Sequence, residues 1–274
     1  MNARTRGQVR IVGAGLLGAS AGLALRERGV DVVLADASKA TLRLAADYGA
    51  GRPAADGDAP AIVLVAVPPD AVAEVVAAEL AAHPGALVTD VASVKSGILR
   101  ELGDAGVDVS RYLGSHPMAG RERGGAVAAR ADLFLGRPWV IAPHGATTAE
   151  QLHAIEDLAL DVGADPIRMD ADRHDRGVAL VSHVPQLVAS LLAARLREAD
   201  EAEVALAGQG LRDTTRIAAS NPELWVQILG ANAEPVADIL RDYRDDLDQL
   251  LKALKNPHAP GAPRAIADAL AAGN

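Results

Sequence analysis

Short apolar runs alternate with helical patterns along the first 170 residues of the chain. Four near-continuous apolar runs predict strands, at 9–12, 30–35, 61–67 and 86–91. Runs of this kind are typical of parallel strands whose two faces are both covered by helices. Two further strands are predicted at 137–143 and 164–169, with a helix over 148–162 between them. The pattern therefore predicts an α/β domain built on a parallel sheet.

From about residue 171 the alternation stops, and apolar side chains recur at helical spacing. Two long apolar stripes begin near Leu187 and Ile239, and they predict an all-helical second domain. A second copy of the chain would cover such stripes economically, so we expect a homodimer formed through this domain. Prolines and small residues after Asn256 predict a loosely ordered tail. The predicted boundaries are 1–170 for the α/β domain, 171–256 for the helical domain and 257–274 for the tail.

Composition narrows the function classes. Half of the 274 residues are hydrophobic, with only two Trp, three Tyr and one Phe, so the core must be aliphatic. The net charge of −9 argues against nucleic acid as a partner. The absence of cysteine excludes disulfides, thiolate metal sites and a cysteine nucleophile. No apolar run of about 18 residues and no signal-peptide pattern is visible, so we expect a cytoplasmic protein without a membrane partner.

A glycine-rich turn with the sequence G-A-G-L-L-G follows the first strand. Gly13 allows the tight turn, Gly15 lets the backbone approach a pyrophosphate, and Gly18 lets helix and strand pack closely. The next strand ends at Asp36, which is placed to accept the ribose hydroxyls and to favour NAD over NADP. Ser38 and Lys39, just beyond Asp36, would still tolerate a 2′-phosphate, so NADP stays open as the cofactor. A purely structural glycine turn is the alternative to a dinucleotide site. The order of elements predicts a Rossmann-type dinucleotide-binding domain.

Further loops follow the carboxyl ends of the predicted strands, where ligands of open α/β sheets gather. Val67 and Pro68 end one strand, and Ser93 follows the next. The segment G-S-H-P-M-A-G holds His116 in a loop made rigid by Pro117 and flanked by glycines. Because histidine titrates near neutral pH, this loop predicts a positioned acid or base. A turn histidine bonded to nearby backbone is the alternative.

Two polar stretches interrupt the helical half. His174 and His183 lie nine residues apart, on opposite faces of a helix, so no shared metal site is predicted. The S-H-V-P sequence around His183 indicates a helix kink that turns polar groups toward the crevice, or a structural buried histidine. Arg216 offers a planar fork that suits a carboxylate, with a solvated surface loop as the alternative.

Taken in order, these motifs resemble the prephenate/arogenate dehydrogenases of tyrosine biosynthesis. Besides the glycine-rich turn, the resemblance rests on V-P-P at 67–69, D-V-A-S-V-K at 90–95, G-S-H-P-M-A-G-R-E at 114–122, H-D at 174–175, S-H-V-P-Q at 182–186 and the segment 210–225. It implies a cofactor, NAD, and a reaction in which a cyclohexadienol loses a hydride and CO2 and becomes aromatic. Aromatisation of the ring supplies the driving force. The protein therefore mainly has to position the substrate against the cofactor and to remove the hydroxyl proton.

The resemblance also implies roles for particular residues. His116 would accept the hydroxyl proton, and Ser93 would hold His116 or the hydroxyl near the nicotinamide. Arg216 would bind the ring carboxylate, and Glu122 would lie at the pocket mouth. Lys95 would support its loop or the charge of the ligand. The other implied substrate-binding residues are His174, His183, Gln186 and Trp225. The implied cofactor-binding residues are Gly13, Gly15, Leu17, Gly18, Asp36, Val67, Pro68 and Ser93.

The exact substrate and the exact class of protein stay open at this point. Gln186 stands where some family members carry histidine, and a neutral amide does not choose between prephenate, arogenate and an amino analogue of prephenate. Gly124 and Gly125 depart from the usual family sequence after Arg123. A β-hydroxyacid or imine dehydrogenase of the same two-domain build is disfavoured. Its catalytic lysine usually lies on a helix of the second domain, and no lysine lies between Lys95 and Lys252 here. A module that binds NAD without turnover would leave His116 idle.

Overall fold

The computed structural model describes residues 3–120 and 124–273. Within these ranges the strands are β1 (Gln8–Val12), β2 (Val32–Ala35), β3 (Arg52–Pro53), β4 (Pro60–Val65), β5 (Leu87–Asp90), β6 (Gly114–Pro117), β7 (Pro138–Ala142) and β8 (Asp165–Arg168). The helices are α1 (Leu16–Glu27), α2 (Lys39–Asp47), α3 (Val72–Ala82), α4 (Ser96–Asp104), α5 (Ala149–Asp161), α6 (Ala171–Val178), α7 (Val184–Arg195), α8 (Glu201–Val204), α9 (Gln209–Thr215), α10 (Pro222–Ala231), α11 (Ala233–Lys255) and α12 (Ala262–Ala271).

A five-stranded parallel sheet with the order β3-β2-β1-β4-β5 carries the core of the first half. Its central side chains, among them Ile11, Leu34 and Leu64, are fully buried, as expected for strands covered by helices on both faces. A second sheet, β6-β7-β8, pairs β6 antiparallel to β7 and β7 parallel to β8. The described residues from 171 onward are helical or in turns. The predicted fold class, a Rossmann-type domain followed by helices, is therefore confirmed.

The chain divides by its internal contacts into two compact units. One unit comprises Met1–Gly177 and Ala219–Ala231, and the other comprises Val178–Ala218 and Asn232–Asn274. Helix α10 therefore groups with the α/β unit, although it lies in the predicted helical domain. The reason lies in its contacts, because α10 packs on the turn Pro69–Ala71, where Gln227 Nε2 donates to Asp70 Oδ2 at 3.2 Å. The domain boundaries at 170 and 256 stay predictions.

The tail is more ordered than the sequence predicts. Ala262–Ala271 forms helix α12, which packs on α11, so the expectation of a loosely ordered segment is wrong there. Pro263 lies in the first turn of α12, where its missing N–H costs nothing and its fixed φ suits a helix. Gly261 caps this helix with a φ of +88°. The prolines that indicated disorder thus include one that starts a helix.

One continuous helical stretch, Ala171–Glu198, contains a π-helical turn over Ala179–His183 and meets a length and hydropathy test for a membrane span. The test rests on length and composition alone, and core helices of soluble proteins also meet it. The kink predicted around His183 lies at this π-helical turn. His183 and Gln186 within the stretch are buried polar residues with hydrogen bonds to Asn232 and Ser190, respectively.

Candidate active site

The glycine-rich turn is shaped to receive a ligand at one of its glycines and to pack tightly at the other two. A Cβ on Gly13 would lie 2.3 Å from the carbonyl oxygen of Ala66, and a Cβ on Gly18 would lie 1.9 Å from that of Gly13. A Cβ on Gly15 would meet no heavy atom within 4 Å. Gly15 is also the N-cap of α1 and supplies no side-chain cap, so the first N–H groups of the helix are left for a ligand.

These features fit the pyrophosphate of a dinucleotide. The helix N-terminus offers backbone donors and a positive dipole end, and the open space at Gly15 lets the ligand reach the backbone. Leu17 lies in the first turn of α1 and is half-buried. Val67 and Pro68 follow the carboxyl end of β4, the strand next to β1, which places them at the same sheet edge as the turn.

Asp36 lies beyond the carboxyl end of β2 and is tied to the glycine-rich turn. Its Oδ2 accepts the N–H of Ala14 at 2.7 Å, and its Oδ1 accepts the N–H of Ser38 at 2.7 Å. The half-buried carboxylate therefore stands beside the turn, where the ribose of a bound dinucleotide would be expected.

The loop between β5 and α4 carries Ser93, which is half-buried and lines a small cavity together with Ile228 and Ala231 of α10. Trp225, also on α10, is half-buried. The contribution of α10 to this cavity was not visible in the sequence, because hydrophobic periodicity does not show which unit a helix packs against.

Lys95, at the end of the same loop, is buried and bonded to other parts of the protein. Its side chain is 1% exposed, and its Nζ forms an ion pair with Asp90 and donates to the carbonyl oxygen of Ser115 at 2.8 Å. Tyr112 donates its hydroxyl to the other oxygen of Asp90 at 2.6 Å. Of the two roles that the resemblance implies for Lys95, these contacts favour support of the loop and of β6, the strand that carries His116. Its assignment as a substrate-binding residue stays a prediction.

His116 lies on β6 and not in the predicted loop, because its backbone pairs in register with Val140 of β7. Its side chain is 8% exposed. Its Nδ1 lies 2.9 Å from Nε2 of His174, and the two rings meet edge to face. His174 Nδ1 in turn lies 2.8 Å from Asp175 Oδ1. His174 is 1% exposed, and both of its ring nitrogens are engaged with other side chains of the protein. Its assignment as a substrate-binding residue stays a prediction.

Burial and hydrogen bonds set the electrostatics of this cluster. Burial raises the pKa of Asp175, but hydrogen bonds from His174 and from the N–H groups of Lys95 and Ser96 outweigh it, so that pKa lies below its usual range. Burial lowers the pKa of Lys95, against the attraction of Asp90. Burial and the nearby Asp90 carboxylate raise the pKa of Tyr112 well above 10.0.

The remaining predicted residues lie in the second unit or outside the described residues. Arg216 follows α9 and is exposed. His183 is 2% exposed and its Nδ1 lies 3.1 Å from Nδ2 of Asn232, which favours the buried structural histidine that the sequence left open. Gln186 is buried and donates to Ser190 Oγ at 3.3 Å. Glu122 lies outside the described residues.

Sequence reasoning missed three residues of this cluster. Asp90 pairs with Lys95 and accepts the hydroxyl of Tyr112, and Asp175 binds His174. Asp175 is directly adjacent to His174 in the sequence, so the H-D pair was a usable signal for it. Asp90 begins the D-V-A-S-V-K segment that ends at Lys95, which was a usable signal as well, whereas Tyr112 lies 22 residues from Asp90 and left no local signal.

Comparisons with known proteins agree with this architecture. Residues 21–168 match the family described as "Prephenate dehydrogenase, nucleotide-binding domain", and residues 170–266 match "Prephenate dehydrogenase, dimerization domain". A Streptomyces niveus protein named "Probable prephenate dehydrogenase NovF" is 40% identical over 246 residues, which cover 89% of this chain and 68% of that protein.

Two solved structures are similar over nearly the whole chain. Arogenate dehydrogenase of Synechocystis has a TM-score of 0.78 at 29% identity, covering 95% of this chain and 96% of that one. Prephenate dehydrogenase of A. aeolicus, solved with hydroxyphenyl propionate and NAD+, has a TM-score of 0.84 at 26% identity and covers 96% of both chains. With both of its halves matched, the chain belongs to the prephenate dehydrogenase family.

Proposed function

We propose that this chain is an NAD-dependent prephenate dehydrogenase of tyrosine biosynthesis, which converts prephenate to 4-hydroxyphenylpyruvate and CO2. The observation that carries the proposal is His116, a buried imidazole hydrogen-bonded to His174, in a chain of this family. Arogenate or another amino analogue of prephenate is the alternative substrate. The similarity to a solved arogenate dehydrogenase, together with the neutral amide of Gln186, favours keeping that alternative in the first assay.

The α/β unit supplies the dinucleotide site. The N–H groups at the start of α1 and the open space at Gly15 would hold the pyrophosphate, and Asp36 would accept the ribose hydroxyls. NAD bound there would supply the hydride acceptor for the ring carbon that carries the hydroxyl. A carboxylate at Asp36 disfavours a 2′-phosphate by charge, so we propose NAD rather than NADP as the cofactor.

His116 and Ser93 act on the hydroxyl group of the substrate, and Arg216 binds its ring carboxylate. His116 takes the hydroxyl proton as the hydride leaves, and Ser93 helps to orient the hydroxyl. The electron pair of the carbon–carboxylate bond enters the ring as CO2 departs, and the proton returns from His116 to the oxygen of the new phenol. Arg216 pairs with the ring carboxylate and keeps it ionised until it leaves. The reaction therefore releases no net proton, and aromatisation drives it.

We propose that the enzyme acts in the cytoplasm as a homodimer held by its helical half. The family's second domain is described as a dimerization domain, and α11 exposes Leu247, Leu251 and Leu254 along one face at 41–53%. An apolar stripe of this length favours burial against another helix. Light scattering after size-exclusion chromatography tests this proposal: we expect a dimer for the wild type and a shift toward monomer for Leu251→Glu.

Activity is tested by NADH formation at 340 nm, with prephenate and arogenate assayed in parallel. Turnover with prephenate supports the proposal, and turnover with arogenate alone selects the alternative. His116→Asn is expected to lower kcat by about 10²–10⁴-fold, the usual contribution of a general base, while NAD binding stays unchanged. Tight NAD binding without turnover on either substrate would contradict the proposal and favour an NAD-binding module or an amino-analogue substrate.

A further inference from the structure

Asp175 connects two parts of the candidate active site. It lies on α6, and its side chain is buried, with 4% of the residue exposed. Its Oδ1 accepts from His174 Nδ1 and from the N–H of Lys95, both at 2.8 Å, and its Oδ2 accepts from the N–H of Ser96 at 2.9 Å. The carboxylate thus binds the partner of His116 on one side and the start of α4 on the other.

The charge of Asp175 determines which nitrogens of the two histidines carry protons. An ionised carboxylate only accepts hydrogen bonds, so His174 must carry its proton on Nδ1. A neutral His174 then has a bare Nε2, which accepts the proton on Nδ1 of His116 at 2.9 Å. A neutral His116 with its proton on Nδ1 has its lone pair on Nε2. The hydrogen-bonded chain therefore selects one tautomer of His116.

We propose that His174 and Asp175 form a positioning pair that holds His116 with an unprotonated Nε2, ready to take the substrate's hydroxyl proton, and that stabilises the imidazolium which then forms. This inference rests on the proposed function for its catalytic part, whereas the tautomer it assigns is a property of the protein alone. In the reaction the O–H bond breaks and an N–H bond forms at His116 Nε2. The proton on Nδ1 stays shared with His174, and the bound proton later returns to the product's oxygen, so protons balance.

The surroundings of the pair suit this role. Among the described residues, the ionisable groups near the pair include His116 from β6 and Lys95 from the β5–α4 loop, whose charge interacts with Asp175. Ser96, whose N–H binds Asp175, also donates its Oγ to Asp172 of α6 at 2.7 Å. Because the site is nearly closed to water, the hydrogen bonds of the chain act in a low local dielectric and are strong. A third group that orients a histidine base commonly accounts for a large part of the rate, since the wrong tautomer cannot take the proton.

The tautomer can be read directly from 15N-labelled histidines in long-range 1H–15N spectra of the full-length protein without substrate. His116→Asn identifies the His116 signals among those of the seven histidines. We expect a proton on Nδ1 and none on Nε2 of His116 at neutral pH. A His116 protonated on Nε2 in the wild type would overturn the proposal, whether or not the protein turns over prephenate.

Variants of His174 test the role of the positioning pair in turnover. Asp175 is less suitable, because it also binds the start of α4, and its replacement would change both that contact and His174. His174→Gln keeps an acceptor for His116 Nδ1 but cannot take a proton, whereas His174→Leu removes the acceptor. We expect kcat to fall by about 10²–10³-fold for His174→Leu and by about tenfold for His174→Gln, with the NAD dissociation constant unchanged.

The pH dependence of kcat/KM distinguishes a positioning role of His174 from a simple loss of folded protein. We expect the acidic limb of kcat/KM to move to lower pH in His174→Gln, because the imidazolium of His116 loses a partner that can share its proton. His153→Gln, the same substitution at an exposed position of α5, is the matched control and should leave activity and profile unchanged. Wild-type kcat and an unshifted limb in His174→Gln, or equal losses of kcat in the two His174 variants, would contradict the proposal.

Discussion

Replacing Gly15 by alanine separates a ligand-binding glycine from a structural one. A Cβ at Gly15 meets no heavy atom within 4 Å, and its φ of −72° is one that any residue adopts. A Cβ at Gly18 would lie 1.9 Å from a backbone carbonyl oxygen. Gly15→Ala should therefore leave the fold intact and obstruct the pyrophosphate, whereas Gly18→Ala should damage the fold itself.

The magnitudes follow from these environments. Gly15→Ala gains about 0.4–1 kcal/mol from the restricted unfolded chain and loses a similar amount because alanine is a poorer N-cap. The net change in the free energy of unfolding is within about 1 kcal/mol, or roughly 2–4 °C in Tm. For Gly18→Ala, overpacking against backbone costs about 3 kcal/mol or more. A tenfold weaker NAD affinity in Gly15→Ala corresponds to about 1.4 kcal/mol.

Thermal unfolding with and without NAD measures both effects on the same samples. At an NAD concentration about 100 times the wild-type Kd, the cofactor stabilises the wild type by about 2.7 kcal/mol. A tenfold weaker Kd reduces that gain to about 1.4 kcal/mol at the same concentration, so the NAD-induced rise in Tm should fall by about half. If Gly15→Ala lost as much stability as Gly18→Ala, or kept the wild-type Kd, the turn would be structural and the reasoning refuted.

Three further outcomes are expected from the same structure. Arg216→Ala should raise KM for prephenate by about 10–100-fold at an unchanged NAD Kd, because it leaves a carboxylate without its charged partner; a wild-type KM would remove Arg216 from the site. Asp36→Ala should relax the kcat/KM preference toward NADP, and a preserved preference would mean that other residues set it. Tyr112 has a pKa raised by burial and by Asp90, so its contribution to stability is complete below about pH 10 and is lost above it. Urea unfolding at about pH 9 and 11 should show the wild type losing about 1.4 kcal/mol more than Tyr112→Phe, and parallel losses would contradict the shift.

The order of strands and helices in the first half could be predicted because each signal is local. The apolar runs became β1, β2, β4 and β5, and the turn after β1 has the geometry that its glycines indicated. The helix expected over 148–162 became α5, which begins with a capping box at Thr148 and Gln151. Hydrophobic periodicity, helix caps and turns depend on residues that are close together in the chain. A single sequence is therefore enough to predict them.

The contacts of His174 could not be predicted, because they depend on a partner far away in the chain. For Lys95 the sequence left two roles open, support of its loop or of the ligand's charge, and the choice depends in part on the carbonyl oxygen of Ser115, which lies 20 residues later. His174 reads as a pocket residue until α6 brings it 2.9 Å from His116, which is 58 residues earlier. Replacing only one partner of the buried Lys95–Asp90 pair would leave an uncompensated buried charge, so each side chain depends on the other.

The β5–α4 loop is joined through Asp175 to the partner of the candidate base. Ser93 lies on this loop, and the loop leads into Lys95 and Ser96, whose N–H groups bind Asp175. The same carboxylate binds His174, the partner of His116. A shift of the loop therefore moves Asp175, and with it the proton positions on His174 and His116. Asp175 binds both the end of the loop and His174, so substitutions of Asp175 should change kcat and the affinity for NAD together. Substitutions of His174 should change kcat and leave the affinity for NAD unchanged.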